Sequence, residues 1–185
     1  MNSDIGDKFS GSLTAAIVRE DGADKIELEE AYVESLEGSL LNNTFFKFGR
    51  AFWNVGTLNP QHAHADDFAD RPLPYRVFLN KAYNDDGLEV SYLLGGTSEV
   101  GFGIFRGEDF PFGNTAASEG HGSDAWSAFY KSNFNISSSE EIAFNVYHLS
   151  GKSKTPNARV SNEDNVTFSG DSDLSIINLD YENSY

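Results

Sequence analysis

Two closely spaced histidines followed by aspartates are the residues best suited to metal chemistry in this chain. His62 and His64 are two positions apart, and Asp66 and Asp67 come directly behind them. In an extended segment, alternate side chains lie on the same side of the backbone. Neutral imidazoles combined with carboxylates suit Zn²⁺, and His121 is a candidate further ligand. The alternative is that the histidines hydrogen-bond their own loop in place while the aspartates cap turns.

A second group of residues follows in the same proline-rich segment. Asp70, Arg71, Tyr75 and Arg76 lie just beyond the histidines. Asp67, Asp70, Arg71 and Arg76 could form ion pairs that fold the segment onto the scaffold that carries it. A simpler interpretation is a cap held by aromatic and leucine side chains. Because the segment is rich in proline and irregular in its pattern, we expect a long ordered loop instead of a helix or strand.

Nothing in the chain matches a common catalytic motif. There is no G-x-S-x-G, no P-loop and no H-E-x-x-H. A His-x-His pair with a later histidine also occurs in cupin-type metalloenzymes on soluble jelly rolls. Cupins place that pair on a strand with a following glutamate, whereas prolines bracket it here. We therefore predict that the protein is not an enzyme, with a cupin-like metalloenzyme as the weakest alternative.

The elements that position these residues are predicted to be strands, since apolar residues recur with a period of two. Eight candidate strands cover 9–19, 25–33, 44–53, 88–94, 100–105, 125–134, 141–149 and 174–181. Asn84-Asp85-Asp86-Gly87 is predicted to be a turn. Long loops are expected near 56–86, 107–124 and 150–173, within a single domain 1–185. The other connections are short.

Short turns alternating with long loops are typical of an antiparallel up-and-down transmembrane β-barrel. Several predicted strands have one apolar or aromatic face and one polar face, with Lys47 and Glu89 among the polar residues. In a membrane barrel the polar face lines a wet interior. In a soluble β-sandwich, which would bind a metal or ligand through the histidine loop, it would face bulk water. The pattern leaves both all-β architectures open.

The composition restricts the kinds of partner that the protein can bind. The chain of 185 residues has 29 acidic and 13 basic residues, for a formal charge of −16, which argues against nucleic acid as a partner. There is no cysteine, which excludes thiolate metal sites and disulfides. There is no apolar run long enough for a transmembrane helix. The first residues do not resemble a signal peptide, so we expect either a cytosolic chain or a mature or partial sequence.

Several segments together resemble a family of Gram-negative outer-membrane β-barrels labelled zinc-regulated, TonB-dependent-receptor-like or porin-like. The resemblance covers roughly 29–112 and is carried by Glu30–Val33, Phe46–Arg50, Leu58–His64, Asp67–Arg76, Asp85–Val90 and Phe105–Pro111. The loop motif Leu58–Arg76 is the most specific part.

The resemblance implies an outer-membrane location, lipid as a partner, and a channel that takes up zinc, other metal ions or small solutes. It leaves self-association open. The members compared are about twice as long or more, so about eight strands would form a segment of a larger barrel. No plug domain is recognisable, which favours a passive, porin-like role. The segment with Asp70, Arg71, Tyr75 and Arg76 would then fold over the pore mouth, where acidic groups favour cations.

Overall fold

The protein is an all-β antiparallel sheet in a computed structural model. The structure describes residues 2–20, 23–61, 70–95, 97–113, 124–153, 159–160 and 165–183. The elements are β1 (Asn2–Ile5), β2 (Phe9–Glu20), β3 (Ala23–Ser35), β4 (Thr44–Phe52), α1 (Leu73–Leu79), β5 (Asn84–Gly95), β6 (Ser98–Phe105), β7 (Ala125–Asn135), β8 (Glu140–Gly151), β9 (Arg159–Val160), β10 (Thr167–Phe168) and β11 (Ser172–Asn183).

Nine of these strands form one sheet in the order β1-β2-β3-β4-β5-β6-β7-β8-β11, and β9 pairs with β10 separately. The eight strands predicted from the period of two are all present, and the up-and-down order is confirmed. β1 was not predicted, because Asn2–Ile5 is short and mostly polar. The sheet is open: β1 and β11 are its two edges, so the predicted closure into a barrel is absent from the residues that the structure describes.

Connection length differs between the two ends of the sheet. The connections at 6–8, 36–43, 96–97 and 136–139 lie at one end, and the long connections at 53–83, 106–124 and 152–171 lie at the other. β2 and β3 are also joined at this second end, so not every short connection is on the same side. We call the two ends the short-turn end and the long-loop end.

Two sequence predictions within the first long connection were wrong. Residues Leu73–Leu79 form α1, with Pro72 at its N-cap and a proline in the first turn, where a missing N–H costs nothing. The predicted turn at Asn84–Gly87 is instead the beginning of β5 and pairs with Gly49–Phe52 of β4. No helix in the described part of the chain is long and apolar enough to cross a membrane.

One face of the sheet is apolar on every long strand and is exposed. Alternate residues share a face, and the register joins Val33, Phe48, Leu88, Ile104 and Trp126 across five neighbouring strands. The exposed fractions reach 77% for Ile17, 80% for Ile26 and 73% for Leu179. We call this surface the apolar face. Its exposed large apolar side chains are spread over eight neighbouring strands, β2 to β8 and β11, whereas soluble monomers rarely expose extended contiguous apolar surface.

The apolar face is a slanted band. In β2 the band is centred on Leu13, which lies on the long-loop side of the cross-strand row through Phe48. In β11 the band is centred on Leu179, which lies on the short-turn side of that row. The band therefore moves by about eight residues over about seven strand-to-strand steps. With a rise of ~3.4 Å per residue and a strand spacing of ~4.8 Å, its slant is roughly 40°.

The opposite face carries both polar side chains and the packed core. Buried Trp53, Tyr83, Phe105, Phe112 and Leu149 lie there, near the long-loop end. The ring of Phe105 is 5.0 Å from that of Trp53 and 5.4 Å from that of Tyr83. We call this surface the polar face. Its core is built between the sheet and the segments that fold back onto it.

Glycines in the strands make room for these rings. The ring of Phe105 occupies the space that side chains at Gly87 and Gly103 would fill, and the ring of Phe129 does the same at Gly101. Aromatic side chains can therefore lie flat on the polar face without opening the strand pairing.

Candidate functional site

The candidate site is the polar face together with the segments packed on it, 53–61, α1 and 107–113. Asp85, at the loop end of β5, joins them. Its Oδ2 accepts hydrogen bonds from Tyr83 Oη at 2.9 Å and from Gly107 N at 2.7 Å, and its Oδ1 accepts from Asp86 N at 2.8 Å. Trp53 Nε1 donates to the Asp85 carbonyl at 2.8 Å. One fully buried residue thus fixes the starts of two long connections.

Asn59 makes a second buried connection. Its Nδ2 donates to the carbonyls of Trp53, at 2.8 Å, and Tyr83, at 2.9 Å, while its Oδ1 accepts from Tyr83 N at 2.6 Å. Asn59 is fully buried. The side chain therefore satisfies three backbone groups that would otherwise be costly to bury. It holds segment 53–61 against the first residues of β5.

α1 closes the same cluster through Tyr75, which is buried. Tyr75 Oη accepts from Leu58 N at 3.3 Å and occupies the space next to Gly56, whose φ of +89° suits a glycine. Burial raises the pKa of Tyr75, and Asp180 of β11 adds to the effect. Leu174 and Ile176 of β11 pack against the buried cluster that includes Tyr75.

The residues predicted for a pore loop lie in different environments. Arg71 is buried and donates to the carbonyls of Lys81, at 3.1 Å, and Gln61, so that it ties the two sides of the first long connection together. Tyr75 is buried as above, Arg76 lies in the last turn of α1 and is half-buried, and Asp70 is exposed. The structure therefore brings Arg71 and Tyr75 into one anchored segment and leaves Asp70 at the surface.

The predicted metal ligands His62, His64, Asp66, Asp67 and His121 lie outside the described residues. In the ranges that the structure does describe, no group of three His, Asp or Glu side chains could hold a metal ion. The zinc site therefore remains a prediction from the sequence.

Charged side chains cross the middle of the polar face in rows. Glu34, Lys47 and Glu89 are cross-strand neighbours on β3, β4 and β5, and Glu99 of β6 is paired with Lys131 of β7. The carboxylate of Glu99 is 3.5 Å from Lys131 Nζ. Opposite charges on adjacent strands stabilise the pairing.

Asn54 links the two rows. It donates to both carboxylate oxygens of Glu89, from its amide side chain and from its backbone N, while its Oδ1 accepts from Lys131 Nζ at 2.6 Å. Lys47 Nζ lies 4.0 Å from the centre of the Tyr32 ring. Glu89 is nearly fully buried. The first residues of the 53–83 connection therefore reach across the strands and fix the charge pattern of the polar face.

Sequence reasoning identified Lys47 and Glu89 but missed Glu34. The register skips Glu29, where Thr14 pairs with Glu30 and Ala15 with Leu28. This bulge moves all later residues of β3 to the opposite face. The signal was the pair Glu29-Glu30, which interrupts the alternation.

At the long-loop end, charged side chains border the apolar face. Arg50 binds Asp86 with two hydrogen bonds, Nε–Oδ1 at 2.9 Å and Nη2–Oδ2 at 3.1 Å, and Arg106 contacts both Asp86 and Glu108. Asp109 lies 3.9 Å from Arg50 Nη1. Burial, followed by the nearby charge of Asp85, raises the pKa of Asp109 to about 6.

Comparison with known proteins gives little functional guidance. No family model matches the chain. A protein of Aquifex aeolicus (strain VF5) described as an uncharacterized protein is 36% identical over 74 residues, which are 40% of this chain. The matched region covers only 15% of that relative's length. No solved structure matches. The chain is thus similar to a small part of a much longer protein.

Proposed function

We propose that this chain is part of an outer-membrane β-barrel whose polar face lines an aqueous passage for small solutes, including metal ions such as zinc. The observation that carries the proposal is the apolar face, which is continuous over the sheet and exposed. In water, exposed apolar surface costs ~25 cal/mol per Å² relative to burial. Against lipid tails this cost is absent, and the outward apolar band is what a barrel presents to the bilayer.

The location of the core supports the same conclusion. In a soluble β-sandwich the apolar face would be the inner one, covered by a second sheet. Here the core containing Trp53, Phe105 and Phe112 lies on the polar face instead, under the folded-back segments. The described residues place nothing over the apolar face. A membrane accounts for both faces at once, since the core then belongs to the barrel interior.

The slant of the apolar band is a further argument. Strands of transmembrane barrels are tilted by ~35–45° from the membrane normal. A belt of lipid-facing residues parallel to the membrane must therefore run obliquely across the strands. The slant of roughly 40° found between β2 and β11 agrees with that tilt. A sheet covered by an arbitrary partner would have no reason to show this value.

The segments on the polar face also bear on the width of the barrel. The interior of an eight-stranded barrel is just wide enough for side chains. This sheet must accommodate α1 and segment 53–61 as well. A closed barrel that encloses them therefore needs more strands than the nine present, supplied at the open edges β1 and β11. In the bilayer these edges must be paired, because unsatisfied backbone groups are costly there.

Within such a passage, the anchored segment 53–61 with α1 narrows the opening at the long-loop end. Glu34, Glu89 and Glu99 give the lining an acidic character, which favours cations over anions. Asp70 lies exposed beside the anchored Arg71, where it can contribute to the charge at the mouth. Passive permeation of small cations is the activity that these residues support best.

The test uses single-cysteine variants, which are straightforward because the chain has no cysteine. Ile177→Cys and Leu179→Cys lie on the apolar face of β11, and Asp180→Cys and Glu182→Cys are exposed controls on the polar face. Each is labelled with a nitroxide after reconstitution into vesicles. We expect oxygen, which concentrates in lipid, to relax labels 177 and 179, and a water-soluble nickel chelate to relax labels 180 and 182.

Loss of that alternation would overturn the proposal. If labels 177 and 179 were shielded from both reagents in a detergent-free soluble protein, a covered β-sandwich would replace the barrel.

Zinc is tested separately by calorimetric titration of the wild type and a His62→Ala/His64→Ala variant, with His148→Ala as control. We expect only the double variant to lose zinc binding. Equal binding by all three proteins would exclude the histidine pair.

A further inference from the structure

The two edges of the sheet each leave the outer side of a long strand open. β1 pairs only with Phe9–Ser12 of β2, and β2 then continues as far as Glu20. Among the residues that the structure describes, no strand pairs with the outer side of 14–20. At the other edge β11 pairs with β8 over its whole length, and no strand in the described part of the chain lies on its outer side. Both edges are therefore long enough to receive a further strand.

The strand directions favour β2 over β1 as the partner of β11. Neighbouring strands of the sheet are antiparallel, so β1 and β11 run in the same direction and β2 runs opposite to both. Transmembrane barrels of this kind are antiparallel and have an even number of strands. Closure at β1 would place two parallel strands side by side, whereas closure at β2 keeps every pair antiparallel.

The lengths and apolar patterns of β2 and β11 match. Each strand has 12 residues. Alignment of Leu13 with Leu179, the two centres of the apolar band, pairs the whole of Phe9–Glu20 with the whole of Ser172–Asn183. In this register the band moves by about eight residues over about eight strand-to-strand steps, which is a slant of roughly 35°. The slant stays within the tilt of transmembrane barrel strands.

The side chains that meet in this register are complementary. On the apolar face Arg19 would lie opposite Asp173, and both residues are exposed. Opposite charges directly across a strand pair stabilise it. Gly11 would lie opposite Tyr181, whose ring can cover a glycine of the neighbouring strand. A shift by two residues, the smallest that keeps both faces in place, would leave the strand ends unpaired and separate Arg19 from Asp173.

The contents of the polar face favour a second copy of the chain as the source of the partner strand. An eight-stranded barrel has room inside for little more than side chains, whereas this sheet carries α1 and segment 53–61, held by Tyr75 and Asn59. Two copies that each supply β2 to β8 and β11 give sixteen strands, a size that leaves an aqueous channel. A two-fold axis along the barrel repeats the same seam twice and keeps both long-loop ends together.

We propose that the chain forms a two-fold symmetric dimer in which β11 of each copy displaces β1 and pairs antiparallel with β2 of the other copy. The inference rests on the proposed function, because it assumes that the sheet is part of a barrel. β1 is suited to displacement, since it has only 4 residues and Ser3, Asp4 and Ile5 are exposed. The side chain of Ile5 lies over Gly11, where Tyr181 of the second copy would replace it. β1 thus covers part of the edge until the second copy binds.

The first test cross-links single-cysteine variants that are mixed in detergent micelles. Ala15 and Ile177 are direct partners in the proposed seam, so a mixture of Ala15→Cys and Ile177→Cys, treated with a short bifunctional thiol reagent, should give a covalent dimer on a denaturing gel. A mixture of Ala15→Cys and Asp180→Cys is the matched control, because Asp180 lies on the polar face of β11. We expect at least about fivefold more dimer from the first mixture, since directly opposite Cβ atoms lie only ~5 Å apart.

The second test locks β1 in place. Asp4 pairs directly with Ser10, so an Asp4→Cys/Ser10→Cys variant can form a disulfide between β1 and β2. We expect the oxidised variant to be monomeric in micelles by light scattering and to form the dimer once the disulfide is reduced. The wild type under the same redox conditions is the control, because it has no cysteine.

Several results would overturn the dimer. Cross-linking of an Ala15→Cys/Ile177→Cys double variant within one chain would show that the sheet closes on itself. Equal cross-linking of the control mixture would exclude the register, and a dimer of the oxidised lock would exclude displacement of β1. The nitroxide pattern on β11, measured on the same preparation, separates these failures from that of the barrel. An intact pattern without a dimer removes only the second copy, whereas loss of the pattern removes the barrel.

Discussion

Replacement of Asp85 by asparagine is the sharpest test of how the long connections are anchored. The Asp85 carboxylate accepts from Tyr83 Oη, Gly107 N and Asp86 N at 2.7–2.9 Å and is fully buried. Asparagine has nearly the same shape but only one acceptor oxygen. In either orientation its NH₂ group faces at least one N–H or O–H donor. The variant therefore separates hydrogen bonding from side-chain volume.

The cost follows from the number of donors left without an acceptor. One buried unsatisfied donor costs ~1–3 kcal/mol, and hydrogen bonds to a charged acceptor are stronger than neutral ones. We expect Asp85→Asn to lower the free energy of unfolding by about 2–4 kcal/mol. Tyr83→Phe is the matched control, because it removes one donor and leaves both backbone N–H groups bonded. Its expected cost is about 1 kcal/mol.

The assay is urea unfolding in detergent micelles, monitored by Trp53 fluorescence in a Trp126→Phe background. Trp53 reports the right region, since its Nε1 donates to the Asp85 carbonyl. Limited proteolysis of the 106–124 connection should accelerate in Asp85→Asn and much less in Tyr83→Phe. If the two variants lost equal stability, or if Asp85→Asn lost less than about 0.5 kcal/mol, the carboxylate would not be the anchor that we infer.

Three further predictions concern glycines in the strands, the charged side chains at the long-loop end, and the apolar face. Gly49→Ala should cost more than about 3 kcal/mol in urea unfolding, because φ is +128° and the new methyl overlaps the β3 backbone. Gly101→Ala meets only a movable ring and should cost about 1–2 kcal/mol. Asp109, with its pKa raised to about 6, stabilises the fold when protonated. This contribution, up to about 3 kcal/mol, should be lost as pH rises through 6. Gly113 N donates to the Asp109 carbonyl at 2.9 Å, so exchange protection of the Gly113 amide, corrected for intrinsic rate, should show this loss in wild type and not in Asp109→Asn. Leu179→Lys should cost about 2–4 kcal/mol in vesicles. The same cost in a detergent-free soluble state would argue against lipid contact.

The strands were predictable because each long strand keeps a period of two over most of its length. The exception is β3, where the bulge at Glu29 reverses the faces. Strict alternation would put Glu34 with Ile26 and Leu28 on the apolar face, and the register places it on the polar face. The pair Glu29-Glu30 marks a break in the alternation, but only the pairing with β2 shows that a bulge forms there.

The first long connection was harder to predict because tertiary contacts overrode local signals. The prolines near position 73 suggested an irregular loop, yet proline fits the first turn of a helix, and α1 forms there. Asn84–Gly87 has the composition of a turn, but it continues as β5. Asn84 Nδ2 donates to the Glu29 carbonyl, and Asp85 is buried in its hydrogen-bond network. Gly87 has no side chain and so leaves room for the ring of Phe105. The partners Glu29, Gly107 and Phe105 are 18 to 55 residues away in the sequence.

The site predicted from the sequence and the site that the structure supports are therefore different in kind. A histidine motif can be recognised within a few residues, whereas the charged network around Asn54 combines side chains of β5, β6 and β7 with the first residues of the 53–83 connection. Arg71 also depends on partners about ten residues away, since it donates to the backbone carbonyls of Lys81 and Gln61. Its role is to hold the connection in place.

The two faces of the sheet depend on each other through small residues. Gly87, Gly101 and Gly103 let large rings lie on the polar face without separating the strands. The rings and the buried Asp85 then hold the long connections inside, so the connections supply the core that the strands alone lack. The side chains on the opposite, apolar face are therefore not needed for this core. In the barrel that we propose, the core is already built on the polar face, and the apolar face would be covered by lipid.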